Sequence, residues 1–585
     1  MASGAQPSFS ELFTPKLVTV LREGYGLDAL RADAAAGLTV AVVALPLSMA
    51  IAIASGLPPA NGLYAAVVGG FLVSALGGSR FQIGGPAGAF IVLVSATVAR
   101  HGVDGMLAAT MIAGVFLALA GFLRLGAYVR LIPYPVTLGF TAGIAVIIFA
   151  SQLKDLLGLT LDAAEKGPIA EKLLQDGFAL STISPGAVAL SLLTIVLIVT
   201  LKRARPRFPA ILFAVVVATL IAAVFRLDVA TIGSRFGGAP QGLPVFRLPS
   251  LSPEQIGAVL PDAFSFALLG AIESLLSATV ADGMTGRRCR ANCELVAQGA
   301  ANIAAGMFGA MMVTGTIART ATNVRAGARG PVAGMLHAVA LLLFLLIAGP
   351  AVAFIPLAAL AGVLVVVARN MIEDRAIAAL FGASRGDALA FAVTFLLTVF
   401  RDLTTAIVAG VAIGALAFLH RISQTAALFP GAFVDEDRAD APMGAREADG
   451  KDAGAAGVAV YRLSGALFFG SAASLGAALD RVLAGGRVFI LDFAEARFVD
   501  TSGAHAVKVF VDKARRQGVD VILSGVDIET ARALGGAGIA APLVRFADSV
   551  ESARALAGAA MASGDEAGDN RPTVQATREP TGDMR

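Results

Sequence analysis

The 585-residue chain is 57% hydrophobic and only 15% charged. A soluble globular protein of this length does not carry so large an apolar share, so the composition points to a polytopic membrane protein. The net charge of +3 gives no reason to expect a nucleic-acid partner, and two cysteines, Cys289 and Cys293, imply no disulfide framework.

In chain order, residues 1–35 mix polar and apolar side chains. No compact apolar core there ends in a small-residue cleavage site, so no cleavable signal peptide is read, and 1–35 is expected to be a cytoplasmic N-terminal segment from the charge pattern below. A spanning helix needs about 20 apolar residues. The first half offers spans at 36–55, 60–77, 86–100, 106–126, 134–153, 185–201 and 208–226. The second half offers 262–282, 294–310, 316–328, 332–350, 352–368, 386–400 and 403–421. The third span of each half is too short to cross as a simple helix. That shared irregularity predicts an α-helical polytopic protein of 14 transmembrane segments, built as a 7+7 inverted repeat over residues 36–421. The basic clusters at Lys202, Arg203, Arg205 and Arg207, at Arg287, Arg288 and Arg290, and at Arg369, Arg375 and Arg385 then all fall inside. Both termini are expected to be cytoplasmic.

Span three opens on Gly84-Gly85-Pro86-Ala87-Gly88-Ala89-Phe90, and span ten on Thr314-Gly315-Thr316-Ile317-Ala318-Arg319-Thr320-Ala321. Each places small or polar residues where a helix would begin. Interrupted spans at matching positions of two halves point to a transporter's binding site. A helix starting in mid-membrane leaves backbone N–H groups free, and the positive end of its dipole favours an anion. The small residues from Gly85 to Gly88 allow close approach, and Pro86 suits a first helical position. Arg319 puts a charge at membrane depth. It either strengthens the field on an anion, snorkels to the cytoplasmic face or pairs with an acid. Thr314 and Thr316 offer hydroxyls to a ligand or to neighbouring helices. On span eight, Glu273 and Ser277 lie one turn apart on one face. The acid can carry a proton or neutralise Arg319, and the two oxygens can also serve a sodium ion.

After Arg421 the composition changes. Residues 432–454 are acidic and rich in Ala, Gly and Asp, and read as a linker. Residues 455–560 read as a soluble α/β domain with a mostly parallel sheet. Its strands are expected at Val458–Leu463, Val488–Phe493 and Val519–Leu523. Its helices are expected at Ala472–Leu483, Ser502–Arg516 and Ile528–Leu534. The tail, 561–585, reads as disordered.

Four stretches together resemble one family. They are Pro46-Leu47-Ser48-Met49-Ala50 with Gly56-Leu57-Pro58-Pro59, Ala271-Ile272-Glu273-Ser274-Leu275-Leu276-Ser277, Thr316-Ile317-Ala318-Arg319-Thr320, and Asp500-Thr501-Ser502-Gly503. In this order and at these separations the chain resembles the SulP family of anion transporters (sulfate permease-like), which end in a cytoplasmic STAS domain. The resemblance implies a homodimer in a bacterial cytoplasmic membrane. It also implies an elevator mechanism, in which spans 1–4 and 8–11 move as a core against a gate of spans 5–7 and 12–14.

The substrate would lie among Leu47, Ile51, Gly85, Pro86, Ala87, Gly88, Thr316, Ile317, Ala318 and Arg319, with Glu273 and Ser277 serving the coupling ion. Leu47 and Ile51 stand where many members carry Gln and an aromatic ring, and the more apolar wall would suit a carboxylate with a carbon skeleton. Related positions imply sodium coupling when they hold Asp and Thr. Glu and Ser here favour a proton. Ser502 matches a phosphorylated serine of stand-alone relatives, although Asp500, Thr501 or Ser502 can equally serve as a simple helix N-cap. The chain lacks a nucleophile elbow, a Walker loop and a His/Cys metal cluster, so neither an enzyme, a cofactor nor direct use of ATP is expected. The expected function is secondary active transport of a small anion such as sulfate, bicarbonate or a C4-dicarboxylate. Proton symport is the first expectation, with an uncoupled channel, an exchanger or sodium-coupled bicarbonate uptake as alternatives.

Overall fold

Apolar runs become helices along most of this chain because a segment in hydrocarbon must satisfy its own backbone groups. The computed structural model describes residues 8–129, 132–161, 169–205, 208–237, 242–250, 252–424, 427–430, 458–472, 479 and 487–568. The chain divides into two units, Met1–Gly414 and Ala415–Arg585.

In the first unit the principal elements are α1 (Leu27–Ala54), α2 (Pro59–Leu76), strand β1 (Gly84–Gly85), α3 (Ile91–Phe122), α4 (Tyr134–Ser151), α5 (Pro185–Ala204) and α6 (Ala210–Val224). They continue as α7 (Pro253–Thr285), α8 (Ala291–Met307), strand β2 (Thr314–Gly315), α9 (Ile317–Arg325), α10 (Val332–Val352), α11 (Leu357–Met371) and α12 (Arg385–Phe400). Helix α13 (Leu403–Ser423) runs across the division between the units. Among the described residues, eight helices are long and apolar enough to cross a membrane.

Every expected span coincides with helix, but some boundaries differ for identifiable reasons. The third and fourth spans share α3, which is broken at Gly102, where φ is 69°. Glycine takes that conformation without a Cβ penalty. Helix α7 starts at Pro253 rather than 262, because Ser252 and Gln255 form a reciprocal capping box ahead of the apolar run.

The helices pack in two sets. In one, α3 lies against α7 and α8, and α1 lies against α10. In the other, α4 lies against α12, and α5 against α6 and α11. The α3–α8 contact is backbone on backbone. A Cβ on Gly114 would sit 2.7 Å from the Gly299 carbonyl oxygen, and one on Gly299 would sit 2.6 Å from that of Gly114. Small residues allow this approach where helices gain nothing from excluding water. Phe90 at the foot of α3 and Phe266 on α7 meet edge to face at 6.1 Å.

The second unit holds β3 (Ala427–Pro430), β4 (Val458–Leu467), β5 (Val488–Val499), α14 (Thr501–Arg516), β6 (Asp520–Ser524), α15 (Ile528–Gly536), β7 (Arg545–Ala547) and α16 (Val550–Gly568). The sheet order follows the sequence, β3-β4-β5-β6-β7. Strands β4 to β7 are parallel, while β3 joins the edge antiparallel to β4. Phe489 of β5 and Phe510 of α14 meet edge to face, with ring centroids 4.9 Å apart. The expected linker at 432–454, and most of the expected helix at 472–483, lie outside the described residues. Helix α16 continues past 560 to Gly568, so the tail expected to be disordered from 561 begins as helix.

Candidate functional site

The two interrupted segments meet. Strands β1 and β2 pair antiparallel, with Gly84 opposite Gly315 and Gly85 opposite Thr314. Next along, the Thr316 amide donates to the Ile83 carbonyl at 3.1 Å. From this two-rung ladder the chain enters α3 through a 3-10 turn at Gly88–Phe90, and enters α9 at Ile317. The N–H groups of Ala87, Gly88 and Ala89 on one side, and of Ile317, Ala318 and Arg319 on the other, find no acceptor among the described residues. Gly88 is half-buried and Ile317 and Ala318 are exposed, so these unpaired donors open onto the space beside the ladder, where water or a ligand can meet them.

Arg319 lies beside these donors. It is 2% exposed, so it does not snorkel. Its Nη2 donates to Ser48 Oγ at 3.1 Å and to the Pro86 carbonyl at 3.2 Å. Its Nε and Nη1 have no hydrogen-bond partner among the described residues. Among the described residues it forms no ion pair with an acid. A Cβ on Gly85 would collide with Arg319 Nη1, so glycine at 85 is what admits the guanidinium over the ladder. A buried cation without a counter-charge is costly.

The other expected residues separate by environment. Thr316 is buried and its hydroxyl has no partner, which leaves it available to a ligand. Thr314 is engaged instead. Its Oγ1 shares a 2.7 Å hydrogen bond with Ser274 Oγ of α7. Ser277 donates to Thr320 Oγ1 at 3.1 Å, and Thr320 in turn accepts the Ile83 amide at 3.1 Å. The Ser277 hydroxyl therefore braces the ladder. Glu273 is half-buried on α7 and makes neither a hydrogen bond nor an ion pair with a described residue. The structural Glu273–Arg319 pair open in the sequence is not formed.

Leu47 and Ile51 are buried in the apolar core of the first unit, on either side of Ser48 in the chain. Pro86 and Ala87 are buried, and Gly88 is half-buried facing Ile148 of α4 and Met371 of α11. Ser502 sits in the first turn of α14, where Asp500 is the N-cap and accepts the Gly503 amide at 2.7 Å. Thr501, Ser502 and His505 line an open cavity of about 500 Å³ there.

Sequence reasoning passed over several residues that shape the site. Ser48 touches Arg319, and Ser274 also accepts the Gly315 amide at 3.3 Å. Gln82 is buried, lies against Gly315 where a Cβ would be, and neither of its side-chain polar atoms has a partner. Ser48 and Ser274 stood inside quoted stretches and Gln82 two residues before one, a polar residue in a mostly apolar context, which is the signal that marks each.

Residues 30–394 match the sulfate permease family, and residues 453–553 match the STAS domain. YvdB of Bacillus subtilis, a candidate sulfate transporter, is 36% identical over 519 residues, covering 88% of this chain and 95% of that protein. The bicarbonate transporter BicA of Picosynechococcus is 31% identical over 516 residues, covering 86% and 90%. The solved transmembrane domain of a cyanobacterial BicA superposes with a TM-score of 0.60 at 31% identity, over 66% of this chain and 98% of that one. The murine Solute Carrier 26 family member A9 anion transporter, solved in an inward-facing state, shares the fold. Its TM-score is 0.80 at 19% identity, over 96% of both chains.

Proposed function

The chain belongs to the sulfate permease family and carries a STAS domain, and from that premise we propose that it is a secondary active transporter of a small oxyanion or carboxylate. The family is one of transporters rather than enzymes. The observation that carries the reading is Arg319, a buried cation with no acidic partner among the described residues, beside two helix starts with free amides. An anion at the β1–β2 ladder completes all three. Thr316 Oγ1 supplies one further donor, and Leu47 and Ile51 close the apolar wall.

Glu273 is the proton carrier in this reading. It is half-buried, without a partner among the described residues, and on the helix whose Ser274 and Ser277 brace the ladder. Protonation removes its charge when a second negative charge arrives, which is what symport requires. Sodium coupling, for which the Glu273 and Ser277 oxygens could serve as ligands, is the second reading. The Ser277 hydroxyl gives its hydrogen to Thr320 Oγ1 and keeps its oxygen lone pairs for a cation.

Substrate moves by an elevator step. The set containing α1, α2, α3 and α7 to α10 carries the ladder past the set containing α4, α5, α6, α11 and α12, which supplies Ile148 and Met371 opposite Gly88. Fourteen segments in a 7+7 inverted repeat, a homodimer, a bacterial inner membrane and cytoplasmic termini belong to the same proposal, as do the domain limits 36–421 and 455–560 and phosphorylation at Ser502.

The test is a competition screen on the purified protein, in which unlabelled sulfate, bicarbonate and fumarate compete for a labelled anion. Arg319→Ala is expected to weaken binding of every competing anion. Normal anion binding by that variant defeats the proposal.

A further inference from the structure

We infer that one face of α8 fixes the two arms of the anion site relative to each other, with Glu294 and Asn302 as its positioning residues. The inference rests on the reading that the anion binds at the β1–β2 ladder. Asn302 is fully buried. Its Oδ1 accepts the Val313 amide at 2.7 Å, and its Nδ2 donates to the Val313 carbonyl at 2.8 Å. Val313 immediately precedes β2, so one side chain holds both backbone groups of that residue as a neighbouring strand would. Glu294, also fully buried, does the same work on the other arm. Its Oε2 accepts the amides of Gly78 at 2.9 Å and Ser79 at 3.1 Å, in the segment leading to β1.

Gln298 joins the two. It lies four residues from each, on the same helix face. Its Nε2 donates to Glu294 Oε1 at 2.9 Å, and its carbonyl accepts from Asn302 Nδ2 at 2.8 Å. The line Glu294–Gln298–Asn302 is thus a continuous polar strip on a helix whose opposing contact, Gly299 on Gly114, is backbone on backbone. Neither end of the strip touches Arg319. Its role is to set where the free amides after β1 and β2 stand, and a binding constellation tolerates errors of only about half an ångström. A buried carboxylate that accepts two backbone amides and a side-chain amide is occupied as an acceptor, and this separates Glu294 from Glu273, which has no partner among the described residues.

The experiment measures initial uptake of radiolabelled sulfate and bicarbonate by the full-length protein in proteoliposomes, per folded molecule. Asn302→Ala and Glu294→Ala are each expected to raise KM about tenfold or more with Vmax within about twofold. Glu294→Gln keeps an oxygen for the Gly78 and Ser79 amides. It is expected to stay within about threefold of the parent KM and to keep its dependence on the ion gradient. Loss of gradient dependence in Glu294→Gln makes that residue a proton carrier and overturns the inference. Arg319→Ala reports on the site itself. If it raises KM while Asn302→Ala does not, the strip has no positioning role although the site stands. If Arg319→Ala transports like the parent, the site reading falls and this inference with it. Should Asn302→Ala fail to fold, Asn302→Asp decides, because its carboxylate still accepts from Val313 but faces the Val313 and Gln298 carbonyls. A raised KM upholds the role, and an unchanged KM refutes it.

Discussion

Arg319 was conspicuous in the sequence because an arginine at membrane depth is rare. Its meaning was not, since snorkelling, pairing and ligand binding leave the same letter. Burial excludes snorkelling, and no acid among the described residues pairs with Arg319; both are three-dimensional facts. Gly85 shows the converse. Its role is legible only once Arg319 Nη1 is seen where a Cβ would lie. Gly85→Ala is therefore expected to displace the guanidinium and to raise the KM for the transported anion about tenfold or more, although only one methyl is added. Thr316→Val removes a hydroxyl at nearly constant volume, and a rise of about three- to tenfold in KM is expected if that hydroxyl meets the anion. Glu273→Gln should leave competition binding intact while abolishing uphill accumulation. Normal accumulation by that variant would remove Glu273 from the coupling step.

At the scale of elements, the positions of the helices were readable because a 20-residue apolar run has few alternatives in a membrane. The strands were not. Two residues give no alternating pattern, and β1 and β2 exist only because each pairs with a segment more than two hundred residues away. The buried polar strip on α8 was missed for a related reason: Glu294, Gln298 and Asn302 lie in a helix whose apolar run drew attention to its length. In the second unit, the Asp500 cap explains why α14 starts where it does. Its carboxylate also accepts the Phe469 amide at 3.2 Å, tying the end of β4 to the helix. Gly503 follows because a Cβ there would sit 2.5 Å from the Leu467 carbonyl oxygen. Asp500→Ala is expected to destabilise this unit by about 1 kcal/mol. Hydrogen exchange in the full chain should show it as about fivefold faster opening of the β5 and β6 amides with unchanged rates in α3 and α7.

At the scale of the whole molecule, the family and the general architecture were legible from the order and spacing of a few short stretches. The transported anion was not, because its identity depends on the size and polarity of a pocket wall that a sequence does not lay out in space. Removing residues 432–585 should leave anion competition unchanged if recognition resides in the first unit alone. Loss of binding in a folded deletion variant would assign part of the site to the STAS-bearing half. The most direct measurement is a structure solved with whichever of sulfate, selenate, bicarbonate or fumarate competes most tightly. The anion is expected between the amides following β1 and those opening α9, within hydrogen-bond reach of Thr316 Oγ1 and beside Arg319. An anion bound elsewhere, with Arg319 Nε and Nη1 and both sets of amides still without an acceptor, would contradict the account.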